Sequence, residues 1–223
     1  MSRVRARITN AARAAGRDPA SVTLIAVTKA KAAEYVRSAA TAGVTDFGEN
    51  YLQEALAKMD ELAGLGVRWH FIGALQSNKT RLVAERFDWV HGVDRLSIAR
   101  RLSDQRPFHA PPLHACIQVA LVPEPGKAGV EPGALEELAR HVAGLPRLRL
   151  RGLMCIPPPL PDEPSQRAAF ARLRVLLERL NSQGLGLDTL SMGMSADFES
   201  AILEGATHVR IGTALFGSRQ PGD

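Results

Sequence analysis

Apolar residues along the chain alternate between two spacings, about 3.6 residues apart and 2 apart. Val4, Ile8, Ala11, Ala12 and Ala15 recur at helical spacing, with Ser2 placed as a cap and Gly16 as a stop, which predicts a first helix. The octamer LIAVTKAK (24–31) then reads as a short apolar strand, covered on both faces, that ends on Lys29. Residues 33–42 carry Tyr35, Val36, Ala39 and Ala40 on one side and stop at Gly43. A strand at 45–48 runs into Glu49-Asn50 and a helix with Leu52, Leu56, Met59 and Leu62 in register. Val67, Trp69 and Phe71 alternate in a third strand that reaches Ile72-Gly73, and the loop ALQSNK leads to a helix around Leu82 and Val83.

The same alternation continues to the end. A fourth strand (89–93) meets Asp94-Arg95 and a helix with Leu96, Ile98, Ala99 and Leu102. The proline-rich stretch 104–112 is a connector, because a fifth strand (114–119) follows at once, then the loop PEPGKAG and a helix with Leu135, Leu138 and Val142. A sixth strand (150–156) ends in the stiff loop PPPLPDEP, and a long helix (165–181) sets Phe170, Leu173, Leu177 and Leu180 in one stripe. Strand seven (189–193), a helix (196–204) and strand eight (208–212) complete the pattern. Eight strand–helix units with short connections predict an α/β fold, a single (β/α)8 TIM barrel with an extra N-terminal helix. A doubly wound open sheet would usually carry a glycine-rich turn after an early strand, and the Lys29 strand has none.

Composition narrows the classes. At 223 residues the chain suits one domain over 1–223, and 45% apolar content permits a sizeable core. No apolar run approaches the ~20 residues that span a bilayer, and the basic N-terminus is interrupted by polar residues every turn, so no membrane association and a cytoplasmic location are expected. The net charge of +5 is spread over many segments without a basic block, which argues against a nucleic-acid face and suits anionic small molecules. Cys116 and Cys155 fall in apolar strands without metal or redox spacing and are expected as buried thiols. The six histidines show no ligand spacing, and no metal is expected.

In such barrels functional groups gather at the C-terminal ends of the strands. Those ends supply Lys29, Glu49-Asn50, Gly73, Asp94, Gln118, Cys155-Ile156, residues 192–195 and residues 210–213. A lysine in an apolar setting is pushed towards its free amine and can form a Schiff base; alternatively Lys29 snorkels from the strand end into water. Ser195 precedes the helix ADFESAILEG as its expected N-cap, and Gly212 and Thr213 end the last strand, so the loops after strands seven and eight form a candidate phosphate cradle. Each of these also has a plain reading, a cap for Ser195 and a turn for Gly212. Alternation puts His208 and Arg210 on one face and Val209 and Ile211 on the helix-facing side, which turns Arg210 into the barrel. A Schiff-base lysine, an inward arginine and a phosphate cradle together suggest pyridoxal 5′-phosphate (PLP).

The segments LIAVTKAK, FGENYLQEA, WHFIGALQSNKTR, LRGLMCIP and LSMGMSADFESAILEGATHVRIGTALFG, with HGVDR and GKAG more loosely, resemble the pyridoxal phosphate homeostasis protein family (YggS/PROSC). That family's fold is similar to the barrel domain of alanine racemase. The resemblance covers nearly the full length. It implies Lys29 as the aldimine lysine, Arg210 beside the pyridine nitrogen, Ser195, Gly212 and Thr213 around the phosphate, and Asn50 and Met194 lining the pocket. Departures are Ala32 and Ala74, where the family commonly has proline, and Ala196, where it has a second acidic residue.

A guanidinium stays protonated, so a ring nitrogen beside it is left unprotonated and the cofactor is a weak electron sink. That suits storage better than transamination. Racemisation needs an acid/base on each face of the carbanion; in alanine racemase the second comes from a tyrosine placed by a further β-domain and a partner subunit. Here Tyr35 and Tyr51 fall on predicted helices, where packing is the plain role, with Tyr51 near the mouth. The expectation is therefore a carrier of PLP held as a lysine aldimine, without robust catalysis, and a monomer. By resemblance its partners are PLP and apo PLP-dependent enzymes. A PLP-dependent racemase of low activity is the alternative, and a cofactor-free aldolase using Lys29 a third that leaves Arg210 unexplained. Lys31, Lys79 and Lys127 are either surface lysines or auxiliary sites for the vitamer.

Overall fold

The computed structural model describes residues 1–122 and 128–217; Lys127 lies outside them. Eight parallel strands close in sequence order into a barrel: β1 Thr23–Val27, β2 Asp46–Glu49, β3 Arg68–Phe71, β4 Trp89–Val93, β5 Leu113–Gln118, β6 Leu148–Met154, β7 Thr189–Ser191 and β8 His208–Ile211. Closure comes from β1 on β8, with Ile25 opposite Arg210 and Ala26 opposite Ile211. Around it lie α1 Ser2–Ala14, α2 Ala33–Thr41, α3 Leu52–Glu61, α4 Thr80–Arg86, α5 Leu96–Gln105, α6 Leu135–Ala143, α7 Glu163–Ser182, α8 Phe198–Leu203 and the short α9 Thr213–Phe216.

Side-chain alternation sorts the strands into two layers. Ala26, Phe47, Trp69, Phe71, Val90, Ile117, Leu153, Val209 and Ile211 face the helices and belong to one continuous apolar shell. The opposite parity fills the barrel with an unusual polar set. His70, His91, Ser191 and Arg210 are buried there beside Trp89, Cys116 and Met154, where barrels of this kind commonly hold branched aliphatics. Both cysteines are free and buried, and burial pushes their thiols up to about 12.

Several expected boundaries shift by one or two residues. The cap of α1 is Met1, not Ser2, with no side-chain bond; Gly16, at φ +67, does end it. Ser195 is not a helix cap. Residues 195–197 form a turn, Asp197 stands at the N-cap of α8, and its carboxylate accepts the Met194 amide at 2.6 Å. The extra helix α1 packs on α8, where Arg7 donates two bonds to Glu199 (2.8 and 2.6 Å) and covers the Phe198 ring.

Candidate functional site

A cavity of about 410 Å³ opens at the C-terminal ends of the strands. All seven residues singled out from the sequence (Lys29, Asn50, Met194, Ser195, Arg210, Gly212 and Thr213) line it. Lys31 lines it too, whereas Lys79, Tyr35 and Tyr51 do not. No carboxylate is among the lining residues, while Lys29, Lys31 and Arg210 are. The wall is otherwise apolar, with Val27, Ile72, Ile156 and Phe216.

Each group is placed by its element. β1 stops at Val27, so Lys29 sits two residues beyond it, in a turn closed by the Lys31 amide donating to Thr28 O at 3.1 Å. Ala30 adopts φ +56 in that turn, a left-handed conformation costing an L-residue ~1–2 kcal/mol. Lys29 is exposed, so the protein does not itself desolvate it, contrary to the expectation drawn from its apolar strand. Behind the turn, the buried Lys58 ammonium donates to Thr28 O (2.6 Å), Glu49 (2.7 Å) and Glu54 (2.6 Å), and the Thr28 hydroxyl donates to Glu49 (2.6 Å). Burial pushes the Glu49 carboxyl up, with Lys58 and Thr28 opposing. Sequence reading missed this network. Its one visible sign was the i,i+4 pair Glu54–Lys58, which reads as an ordinary surface pair.

Asn50 follows β2, and its side-chain oxygen is buried with no hydrogen-bond partner. Gly73 lets the end of β3 pass the Asn50 backbone, since a Cβ there would lie 2.4 Å from Asn50 O. Gly212 serves β1 in a similar way: a Cβ would meet Val27 O at 3.2 Å. Ser195 accepts the Ala214 amide at 3.1 Å, which ties the turn after β7 to the loop after β8. Tyr51 stands at the N-cap of α3 and is about half exposed. Tyr35, partly exposed, meets the Phe216 ring edge-on at 5.8 Å.

Arg210 forms the floor. Its guanidinium donates to the Ser191 hydroxyl (2.8 Å) and to Cys155 O (2.9 Å), and it makes no ion pair among the described residues. Burial pulls its pKa below the ordinary value, yet a guanidinium keeps its proton. A buried cation with no direct ion pair among the described residues, attracted by Asp197 only across a distance, at the base of a cavity whose lining carries no carboxylate, can take an acceptor or an anion from outside. Asp94, expected at a strand end, is paired with Arg95 instead, and Gln118 donates to Ala128 O; neither lines the cavity.

The barrel histidines were not picked out from the sequence as a group. Parity held the signal: Trp69 and Phe71 face the helices, so His70 between them faces inward, as does His91 between Val90 and Gly92. His70 Nδ1 lies 3.0 Å from His91 Nε2, His91 Nδ1 2.8 Å from Ser191 Oγ, and His70 Nε2 2.9 Å from Asp46 Oδ1.

Residues 1–220 match the family described as "Alanine racemase, N-terminal domain". The pyridoxal phosphate homeostasis protein of Pseudomonas aeruginosa is 62% identical over 222 residues, covering 100% of this chain and 95% of that one. Its counterpart in Escherichia coli K12 is 50% identical, covering 98% and 95%. Among solved structures, PipY of Synechococcus elongatus with PLP bound superposes at a TM-score of 0.84 and 41% identity, covering 94% of this chain and 100% of that one. Alanine racemase of Corynebacterium glutamicum shares the fold at a TM-score of 0.70 and 18% identity; this chain is covered to 99%, and that one to 62%.

Proposed function

Because the chain belongs to the alanine racemase N-terminal domain family, and within it to the pyridoxal phosphate homeostasis proteins, we infer that its cavity binds PLP and that the protein helps maintain the supply of that cofactor. The observation that carries this reading is Arg210, a buried guanidinium without an ion-pair partner among the described residues, at the floor of a cavity with Lys29 at its rim and no lining carboxylate. The vitamer supplies an aldehyde, an aromatic nitrogen and a phosphate.

Lys29 would hold the vitamer covalently through its aldehyde carbon, the electrophile that bound PLP would supply to a free amine. Arg210 would donate a hydrogen bond to the ring nitrogen while keeping its own proton, which would leave that nitrogen unprotonated. Ser195, Gly212 and Thr213 would hold the phosphate, while Asn50, whose amide oxygen has an unfilled bonding position, and Met194 would flank the ring; all five line the cavity. The role is that of a carrier. Lys29 and Lys31 both line the cavity, and no tyrosine does among the described residues. Racemisation needs acid/base groups on two faces of the carbanion, and the lining supplies no tyrosine for the second. The exposed position of Lys29 would leave a PLP held there within reach of an amine from outside, which suits release to apo PLP-dependent enzymes. A cytoplasmic monomer belongs to the same reading; among the described residues no helix is long and apolar enough to cross a membrane.

The test is an absorbance spectrum and intact mass of the PLP-loaded protein before and after borohydride, with the modified peptide mapped. A band near the visible edge and a reduced adduct on Lys29 are expected, both lost in Lys29→Ala. An adduct confined to Lys31 or Lys79 would refute the assignment. Loaded protein incubated with single-enantiomer amino acids in deuterated water should give no inversion, and rapid inversion would make it a racemase.

A further inference from the structure

Four hydrogen-bonded contacts cross the barrel interior from end to end. They join Arg210 to Ser191 (2.8 Å), Ser191 to His91 (2.8 Å), His91 to His70 (3.0 Å) and His70 to Asp46 (2.9 Å). All five side chains are buried. Asp46 begins β2 at the opposite end of the barrel, where Arg68 donates to both of its oxygens at 2.7 Å. A second cavity, lined by Asp46, Arg68, His114 and His208, opens at that end.

Chemistry at the two termini fixes the protons between them. Burial alone would raise the Asp46 carboxyl, but hydrogen bonds from His70, Arg68 and Thr45 outweigh it and hold it well below the usual carboxylate range. Asp46 is therefore an ionised acceptor, and His70 must donate to it from Nε2. Burial, the largest influence, keeps His70 and His91 neutral, and His91 is also repelled by His70, His208 and Arg210. A neutral imidazole has one donor, so His70 Nδ1 is left as an acceptor and takes the Nε2–H of His91. His91 Nδ1 then accepts a hydrogen bond from the Ser191 hydroxyl. That leaves a Ser191 lone pair facing Arg210, a group that can only donate.

From this one-way order we propose that Asp46, His70, His91 and Ser191 are positioning residues for Arg210: a relay in which every group donates towards Asp46 and which fixes the guanidinium presented to the cofactor's ring nitrogen. Nothing is transferred along it. Each hydrogen bond polarises the next, so a carboxylate at the far end of the barrel draws the Arg210 hydrogen bonds towards itself and tempers the charge that Arg210 shows the cavity. Ser191 is the critical joint, because its hydroxyl both gives and takes. This inference rests on the PLP-binding reading for its consequence, though the proton arrangement can be measured without ligand.

The test has two arms. Nitrogen-15 NMR of the imidazoles in the unmodified, ligand-free protein near neutral pH should show His70 and His91 neutral and both protonated on Nε2; a proton on Nδ1 of either ring, or a charged ring, would overturn the relay. The second arm compares Ser191→Thr with Ser191→Val, which have the same branched shape and differ by the hydroxyl alone. The threonine variant should keep the PLP affinity and absorbance maximum of the parent. The valine variant should bind about tenfold more weakly, the scale of one lost hydrogen bond to a charged group, with a displaced maximum. Equal spectra and affinities for parent, threonine and valine proteins would also overturn the proposal. If the parent takes up no PLP, the functional reading fails, and the NMR arm still decides the relay. The NMR arm likewise decides it if the valine variant does not fold.

Discussion

Lys58 shows how much a single side chain contributes behind the cavity. The residue is 5% exposed, and its ammonium satisfies Thr28 O, Glu49 and Glu54 together, while one Glu49 oxygen stays without a partner. Lys58→Met leaves Glu49 as an uncompensated buried group and should cost about 3–5 kcal/mol of stability, the range for breaking a buried pair from one side. Urea denaturation measures it, and a loss below ~1 kcal/mol would mean the pair is solvated. The same variant releases Thr28 O and with it the Lys29 turn. Lys29 and Arg210 were legible because a cation inside an apolar strand pattern stands out. Lys58 was not, because its helix has ordinary amphipathic spacing and only the packing of α3 on β1 and β2 turns that ammonium inward.

Among the elements, α2 offers the cleanest check. Its N-cap residue Ala32 has φ −66 and ψ 163, the dihedrals a proline ring favours. Ala32→Pro should therefore stabilise the protein by about 0.4–1 kcal/mol by restricting the unfolded chain, read as a higher denaturation midpoint with unchanged slope. A destabilised variant would show that the Ala32 amide is needed. The β7–α8 junction marks where element reading failed. Ser195 and Asp197 are both good cap formers two residues apart, so local propensity leaves the choice open. The structure gives the N-cap position to Asp197 and leaves the Ser195 hydroxyl to bind the Ala214 amide across to the next loop. Strand order and helix count needed no such arbitration, since the alternation of periods is strong and the connections short.

At the scale of the whole molecule the polar barrel interior sets the response to acid. Burial lowers His70 and His91, and it lowers His208 to about 3. The unfolded chain takes up these protons near pH 6.5 while the fold refuses them, so stability must fall as pH drops below that value. Each histidine kept neutral contributes at most ~1.4 kcal/mol per pH unit over this window. The depressed Asp46 acts in the same direction at lower pH, its contribution being lost as pH falls through its folded value. Melting temperature should decline steadily from pH 7 to pH 5, and replacing His208 with phenylalanine should flatten that slope. A profile level across this range would show that the imidazoles are charged in the fold.

The sequence by itself determined the repeating units, the parity of each strand and the residues at the strand ends, because side-chain alternation and helical spacing are local properties of the chain. The tertiary structure alone decided which inward side chains meet. His70, His91, Ser191 and Arg210 come from four different strands, and their juxtaposition depends on barrel closure and on the stagger between strands. Stagger is fixed by the sum of pairings around the ring, a quantity no single stretch of sequence contains.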